Sequence, residues 1–427
     1  MDILIKDAII ITQNEAREII KGDIVIKENR IEKIGKNLNE KVDEKIDCKR
    51  KLVFPGFINT HTHVAMTLFR GYGEGMRLQQ WLEQKIWPAE AKLKPNDVYH
   101  GAMLGIAEMI RSGTTSFNEM YVFGLERIAD AGEKSGIRTS IGLGMLDKMP
   151  EHYIENELRA NDKFVSSLKS ESDRIKASVC CHAPYTCSSE LIIKAKEYAN
   201  KKNLQFHIHV SETRKEVFDI IKEKGKSPFE YLDSLGILDA KSVFAHSVYV
   251  TKREIALGGK NKINISHNPV SNLKLAGGGI CPISEFMRAG ANVSLGTDGA
   301  ASNNSLNIIE TMKMAALLQK NFYWDASAIS AQQVLDFATI NGAKALGVDS
   351  GAIEKGKLAD IVIADLKSPN MAPYHNHVAN IVYAINPANI CDVIIDGELI
   401  MKDKKILLFD EEEVIEKAVE AAENVAT

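Results

Sequence analysis

The chain has 427 residues, 45% of them apolar and 26% charged, the balance of a globular protein with a large core. Its 53 basic and 57 acidic side chains leave a net charge of −4. That excludes the basic field which would attract nucleic acid or an anionic membrane. No apolar run approaches the ~20 residues of a membrane span. The acidic start, Met1-Asp2-Ile3-Leu4, lacks the basic segment of a signal peptide. Six cysteines without a Cys-x-x-Cys pair argue against a thiolate zinc site and a disulfide framework, so a cytoplasmic protein with reduced thiols is expected.

Residues 1–54 read as short β-branched strands, among them Ile3-Leu4-Ile5 and Asp23-Ile24-Val25-Ile26, too few for a core of their own. From there to residue 348, eight β-rich runs alternate with amphipathic helical stretches. The runs are 52–60, 114–118, 138–143, 175–181, 204–210, 242–245, 262–266 and 292–296. Eight strand–helix repeats over about 300 residues predict an α/β protein built on a (β/α)8 TIM barrel. An open doubly wound sheet would carry a glycine-rich phosphate loop after its first strand; Gly71-Tyr72-Gly73-Glu74-Gly75 does not lie at a strand end. A helical stretch over 330–346 ends at Gly347. Residues 349–405 return to strands, with a turn at Asp396-Gly397, and are expected to pair with the N-terminal strands in a small β-sandwich. Residues 406–427 form a terminal helix, with Val414, Ile415, Ala418, Val419 and Ala422 on its packing face.

In such a barrel, residues at the C-terminal strand ends converge on one mouth. Seven of the 11 histidines fall there: His61 and His63 after strand 1, His182 after strand 4, His207 and His209 on strand 5, His246 after strand 6 and His267 after strand 7. Asp298 follows strand 8. Imidazole and carboxylate together suit a first-row divalent ion with a position left for water. His61, His63, His209 and Asp298 form the expected ligand set, from strands 1, 5 and 8. Glu212, three residues past His209, is placed to move a proton, and His246 to orient the nucleophile or stabilise developing charge. Packing or support of the ligands is the simpler role for His207 and His267, and packing for Trp81 and Trp87. Asp298 in Thr-Asp-Gly also fits a turn, and Glu90 a solvated helix face.

Taken together, His-Thr-His after Pro-Gly-Phe-Ile-Asn, His209, His246 and Asp298 resemble the amidohydrolase superfamily. No lysine ends strand 4, which favours a mononuclear site. The stretches 81–90, 266–275 and 296–304 are similar to those of the 5′-deoxyadenosine, 5′-methylthioadenosine and S-adenosylhomocysteine deaminase family. The resemblance implies a metal-dependent hydrolytic deaminase of 5′-modified adenosines that recycles by-products of S-adenosylmethionine. It implies one divalent ion per subunit, zinc first, with iron or manganese as alternatives, and a homo-oligomer such as a tetramer. By the same resemblance Glu90 holds ribose hydroxyls, His182 and Glu212 contact the base, and Asp298 is both ligand and proton acceptor. After strand 3 the chain reads Gly142-Leu143-Gly144-Met145-Leu146-Asp147, without the arginines with which some relatives grip a homocysteine tail; a less polar 5′ pocket is expected. Two alternatives are a mononuclear amidohydrolase acting on another heterocycle (guanine, cytosine or a triazine) and a non-catalytic binding protein of this fold.

Overall fold

The computed structural model describes residues 1–76, 78–168 and 173–426. Two sheets of nine strands each organise the chain. The barrel sheet is parallel and follows chain order: Phe57–Thr62, Thr114–Tyr121, Arg138–Met145, the pair Ile175–Ala177 and Val179–Cys181, Phe206–Val210, Ser242–His246, Asn264–His267 and Asn292–Leu295. These are barrel strands 1 to 8. Strands 8 and 1 meet at a seam that side chains help to close. Asn59 donates to Thr297 Oγ1 at 2.7 Å and accepts from the Thr297 N–H at 3.0 Å, and the Asp298 N–H donates to the His61 carbonyl at 3.0 Å.

The second sheet joins both chain ends. Lys51–Pro55 lies parallel to Ile3–Ile11 and antiparallel to Ile361–Asp365, and so ties the first 50 residues to the last 70 or so. Alternation then sorts the side chains between two cores. Val53, Ile361 and Ile363 enter the small core of the terminal sheet, whereas Leu52, Phe54, Val362 and Ala364 face the barrel core. The Asp396-Gly397 turn has φ of 53° and 75°, the left-handed pair that a two-residue hairpin requires.

Four expectations need correction. The run 52–60 is two strands, divided at Gly56, where the chain passes from one sheet to the other. A Cβ at Gly56 would lie 2.2 Å from the Thr115 side chain, so only glycine allows that crossing. Strand 2 runs three residues beyond Asn118, to Tyr121, because its ladder with strand 3 continues through Tyr121↔Leu143. The stretch 330–346 is two helices, Ala331–Ala338 and Ile340–Leu346. They part at Thr339, whose hydroxyl donates to the Leu335 carbonyl and accepts from Gln13. In the last helix, Glu411–Ala426, the buried stripe is Ala418, Ala421 and Val425, while Ile415 and Val419 project half into solvent. The stripe packs against the helix Pro95–Arg111, and the Arg111 guanidinium pairs with Glu411 at 2.6 Å beside that contact. Among the described residues no helix is long and apolar enough to cross a membrane.

Candidate active site

The C-terminal ends of the barrel strands open into a cavity of about 440 Å³. His63, Glu90, His182, His209, Glu212, His246 and Asp298 all line it, and His61 lies fully buried behind them. All eight sequence-selected residues therefore gather at one mouth.

Hydrogen bonds on the far side of each ring aim the imidazoles inward. His63 donates from Nδ1 to the Met120 carbonyl at 2.6 Å, and His209 from Nδ1 to the His182 carbonyl at 2.6 Å. A neutral ring that donates from Nδ1 presents a bare lone pair at Nε2. The two Nε2 atoms face each other at 3.3 Å. Asp298 Oδ1 lies 3.2 Å from His63 Nε2 and 3.4 Å from His61 Nε2, and His61 Nε2 is buried with no hydrogen-bond partner. Lone pairs pointed at each other beside a carboxylate call for a cation. Burial alone would depress His63, yet the Asp298 carboxylate outweighs it and holds His63 up to about 9, so that a proton on Nε2 takes the cation's place beside Asp298 and is given up when an ion binds there. Burial holds His61 down to about 3 and His209 well below the ordinary histidine value. Two nitrogens bound to one tetrahedral zinc, each at about 2.05 Å, would stand about 3.3 Å apart. The residues present fit a divalent ion.

Around this cluster, Asp298 divides its two oxygens. Oδ1 faces the histidines and accepts from the Gly299 N–H at 2.9 Å, while Oδ2 accepts from Ser271 at 2.6 Å and Ser302 at 2.9 Å. Burial would raise its pKa, but the His61 and His63 imidazoles hold it well below the carboxylate range. His246 stands apart from the ligands in its wiring. Its Nδ1 accepts from Asn272 at 2.9 Å, so the neutral ring keeps its proton on Nε2. His182, lowered to about 4 by burial, has Nδ1 2.8 Å from the Thr186 hydroxyl. Thr186 spends its own proton on the Ala183 carbonyl, which leaves His182 Nε2 as an acceptor. Glu212 lies 3.8 Å from His246, and burial raises its pKa.

Several supporting residues escaped the sequence reading. Buried Glu119 accepts from the Val64 N–H at 2.9 Å and from the Thr62 hydroxyl, fixing the turn that carries His63. Buried Glu216 accepts from the N–H groups of Ser211 and Glu212 at 2.7 and 2.8 Å, clamping a turn in which Ser211 has φ of 54°. His207 Nε2 sits 3.0 Å from His61 Nδ1, a support for the ligand ring. The signal for Glu216 is its place four residues after Glu212; for Glu119, it is the lone charge in strand 2.

Residues 52–400 match the Amidohydrolase family. The chain belongs to the amidohydrolase family. Full-length relatives agree. A 5′-deoxyadenosine deaminase of Methanosphaera stadtmanae is 45% identical over 99% of both chains. A 5′-deoxyadenosine deaminase of Methanocaldococcus jannaschii is 46% identical over 94% of this chain and 96% of its own. Among solved structures, an adenosine deaminase from Xanthomonas campestris with bound zinc superposes with a TM-score of 0.95 at 30% identity. That match covers 99% of this amidohydrolase and 98% of that chain.

Proposed function

We propose that this amidohydrolase deaminates 5′-modified adenosines, 5′-deoxyadenosine foremost, with 5′-methylthioadenosine, S-adenosylhomocysteine and adenosine as further substrates. The products are the inosine analogues and ammonia, and the reaction would recycle by-products of S-adenosylmethionine. One observation carries the reading. A single cavity is lined by the His/Asp cluster, Glu212 and Glu90 together, groups suited to base and ribose of one nucleoside. The relatives' names agree with it.

His61 and His63 with Asp298, and His61 with His209 and His246, bring their ligand atoms within 4.8 Å of one another; of these, His61, His63, His209 and Asp298 would hold one divalent ion, zinc first and iron or manganese as alternatives. Such an ion makes water a nucleophile near neutral pH. The chain's own groups do the rest. Glu212 donates a proton to the adenine ring nitrogen next to C6 as water adds at C6. Asp298 accepts the water proton, and His246 points its Nε2–H at the oxygen on which charge develops. Asp298 then passes its proton to the amino group, the C6–N bond breaks as the C6–O bond becomes a carbonyl, ammonia leaves, and the hydroxyl proton released restores Glu212. Burial raises Glu212 and so favours the protonated form its first step needs. His182 Nε2 is free to accept from the exocyclic amine, and Glu90 to accept from ribose hydroxyls.

The apolar wall near Leu146 and Met149 supports a small apolar 5′ group. Six buried free thiols support a cytoplasmic setting, and the homo-oligomeric state is part of the same reading. The test is a purified protein incubated with 5′-deoxyadenosine, read by the ultraviolet shift from adenine to hypoxanthine. The Glu90→Ala variant should raise KM for nucleosides steeply. No shift with any 5′-substituted adenosine would sink the proposal, and an unchanged KM in Glu90→Ala would favour a free heterocycle as substrate.

A further inference from the structure

Tyr121 ends barrel strand 2 and lines the cavity beside Glu90. It is 2% exposed, and among the described residues its buried hydroxyl has no hydrogen-bond partner. The ring is fixed by packing against Phe123, centroid to centroid 5.7 Å. A buried phenol without a partner is costly, and where one persists at a binding cavity it awaits a ligand. The Glu90 carboxyl is a charged neighbour that approaches hydrogen-bonding reach of the phenol, so that each perturbs the other, but no well-formed bond joins them.

The chemistry of a ribose diol completes the picture. Two vicinal hydroxyls offer two O–H donors and two acceptor oxygens. An ionised carboxylate only accepts, so it satisfies the donors and leaves the oxygens without a partner. A phenol supplies the missing donor. We infer that Tyr121 is a specificity-determining residue that donates its O–H to a ribose hydroxyl oxygen while Glu90 accepts from the diol. The inference rests on the deaminase reading and extends it to a second arm of sugar recognition. Burial holds the Tyr121 phenol well above its ordinary value, so it remains a donor at any working pH.

The experiment crosses a protein deletion with a substrate deletion. Tyr121→Phe keeps the ring and removes the hydroxyl, and is compared with wild type on adenosine and on 2′,3′-dideoxyadenosine. On adenosine the variant should lose about tenfold in kcat/KM, mostly through KM; on the dideoxy nucleoside the loss should vanish. Inhibition constants for inosine and 2′,3′-dideoxyinosine give the same comparison without turnover, should the dideoxy substrate react too slowly. An equal loss on both sugars, or no loss on either, overturns the inference and leaves the deaminase reading standing. Wild type that converts no adenosine of any kind, yet binds inosine more tightly than Tyr121→Phe does, would sink that reading and leave the tyrosine's role intact.

Discussion

His63 Nε2 and His209 Nε2 face each other across 3.3 Å, each ring locked by an Nδ1–H bond to a backbone carbonyl. This arrangement presents two lone pairs to one point, and the buried Asp298 carboxylate beside them adds the charge that a divalent ion balances. His209 lies on strand 5 and His63 is the first residue past strand 1, in a turn held by Glu119, so the barrel strands and that clamped turn together fix their separation.

Glu212 is assigned proton transfer rather than ligation. Glu212→Gln should lower kcat by about 10²–10⁴-fold while metal content stays as in wild type. A proton donor works only when protonated, so kcat should decline as pH rises through the raised pKa of Glu212. Loss of bound metal in the variant, read by elemental analysis, would recast Glu212 as a ligand.

Ser271 and Ser302 both donate to Asp298 Oδ2 and lie 3.0 Å from each other. Each alanine substitution should reduce kcat by about tenfold, roughly the worth of one hydrogen bond to a charged group. Because the two act on one oxygen, the double variant should lose less than the product of the singles. Steady-state kinetics on the three proteins decides it; strictly multiplicative losses would separate their roles.

At the opposite end of the barrel, buried Arg138 on strand 3 meets Asp360 at 3.1 Å and Asp396 at 3.0 Å, pinning the terminal sheet to the barrel. Arg138→Ala strands two acidic groups, one of them fully buried, and should cost about 3–5 kcal/mol in urea denaturation. Activity per folded molecule should not change, since the site lies at the other strand ends. A loss of activity in fully folded protein would contradict that separation.

Asp23 gives a stability effect with a defined sign. Burial would raise its pKa, but Lys6 at 2.7 Å and the N–H groups of Asp7 and Leu38 at 2.9 and 2.8 Å outweigh it, and the pKa is lowered. The carboxylate therefore stabilises the fold fully above the unfolded value near pH ~3.9 and loses that effect as pH falls through its lower folded pKa. Asp23→Asn should cost about 2 kcal/mol at pH 7 and flatten this acid-side dependence. Thermal melts between pH 2 and 7 check it; parallel curves for both proteins would refute it.

The barrel is legible because its periodicity is strong: eight β-rich runs alternate with helical stretches, and six of them end in a histidine or aspartate, most of which are brought to the mouth. What was not legible depends on contacts distant in sequence. The division at Gly56 follows from the closeness of Thr115, and the buried stripe of the last helix from packing against a helix whose Arg111 meets Glu411 across 300 residues. Strand 2 seemed to stop at Asn118 because Glu119 reads as a strand-ending charge, whereas Thr62 and Val64 satisfy it. The same misreading hid Tyr121. Glu216 and Ser302 were overlooked for a related reason: their partners are backbone N–H groups and a carboxylate oxygen, which no spacing rule announces.

The central claim is a metal-dependent deamination of a 5′-modified adenosine, and one titration tests it. Chelator-treated protein is mixed with 5′-deoxyadenosine, and ammonia release is followed as zinc is added back in sub-stoichiometric steps. No ammonia is expected from the stripped protein, and activity should return linearly and level off at one ion per chain. Full activity in the metal-free protein, or zinc-loaded protein that binds the ion yet releases no ammonia, would contradict it.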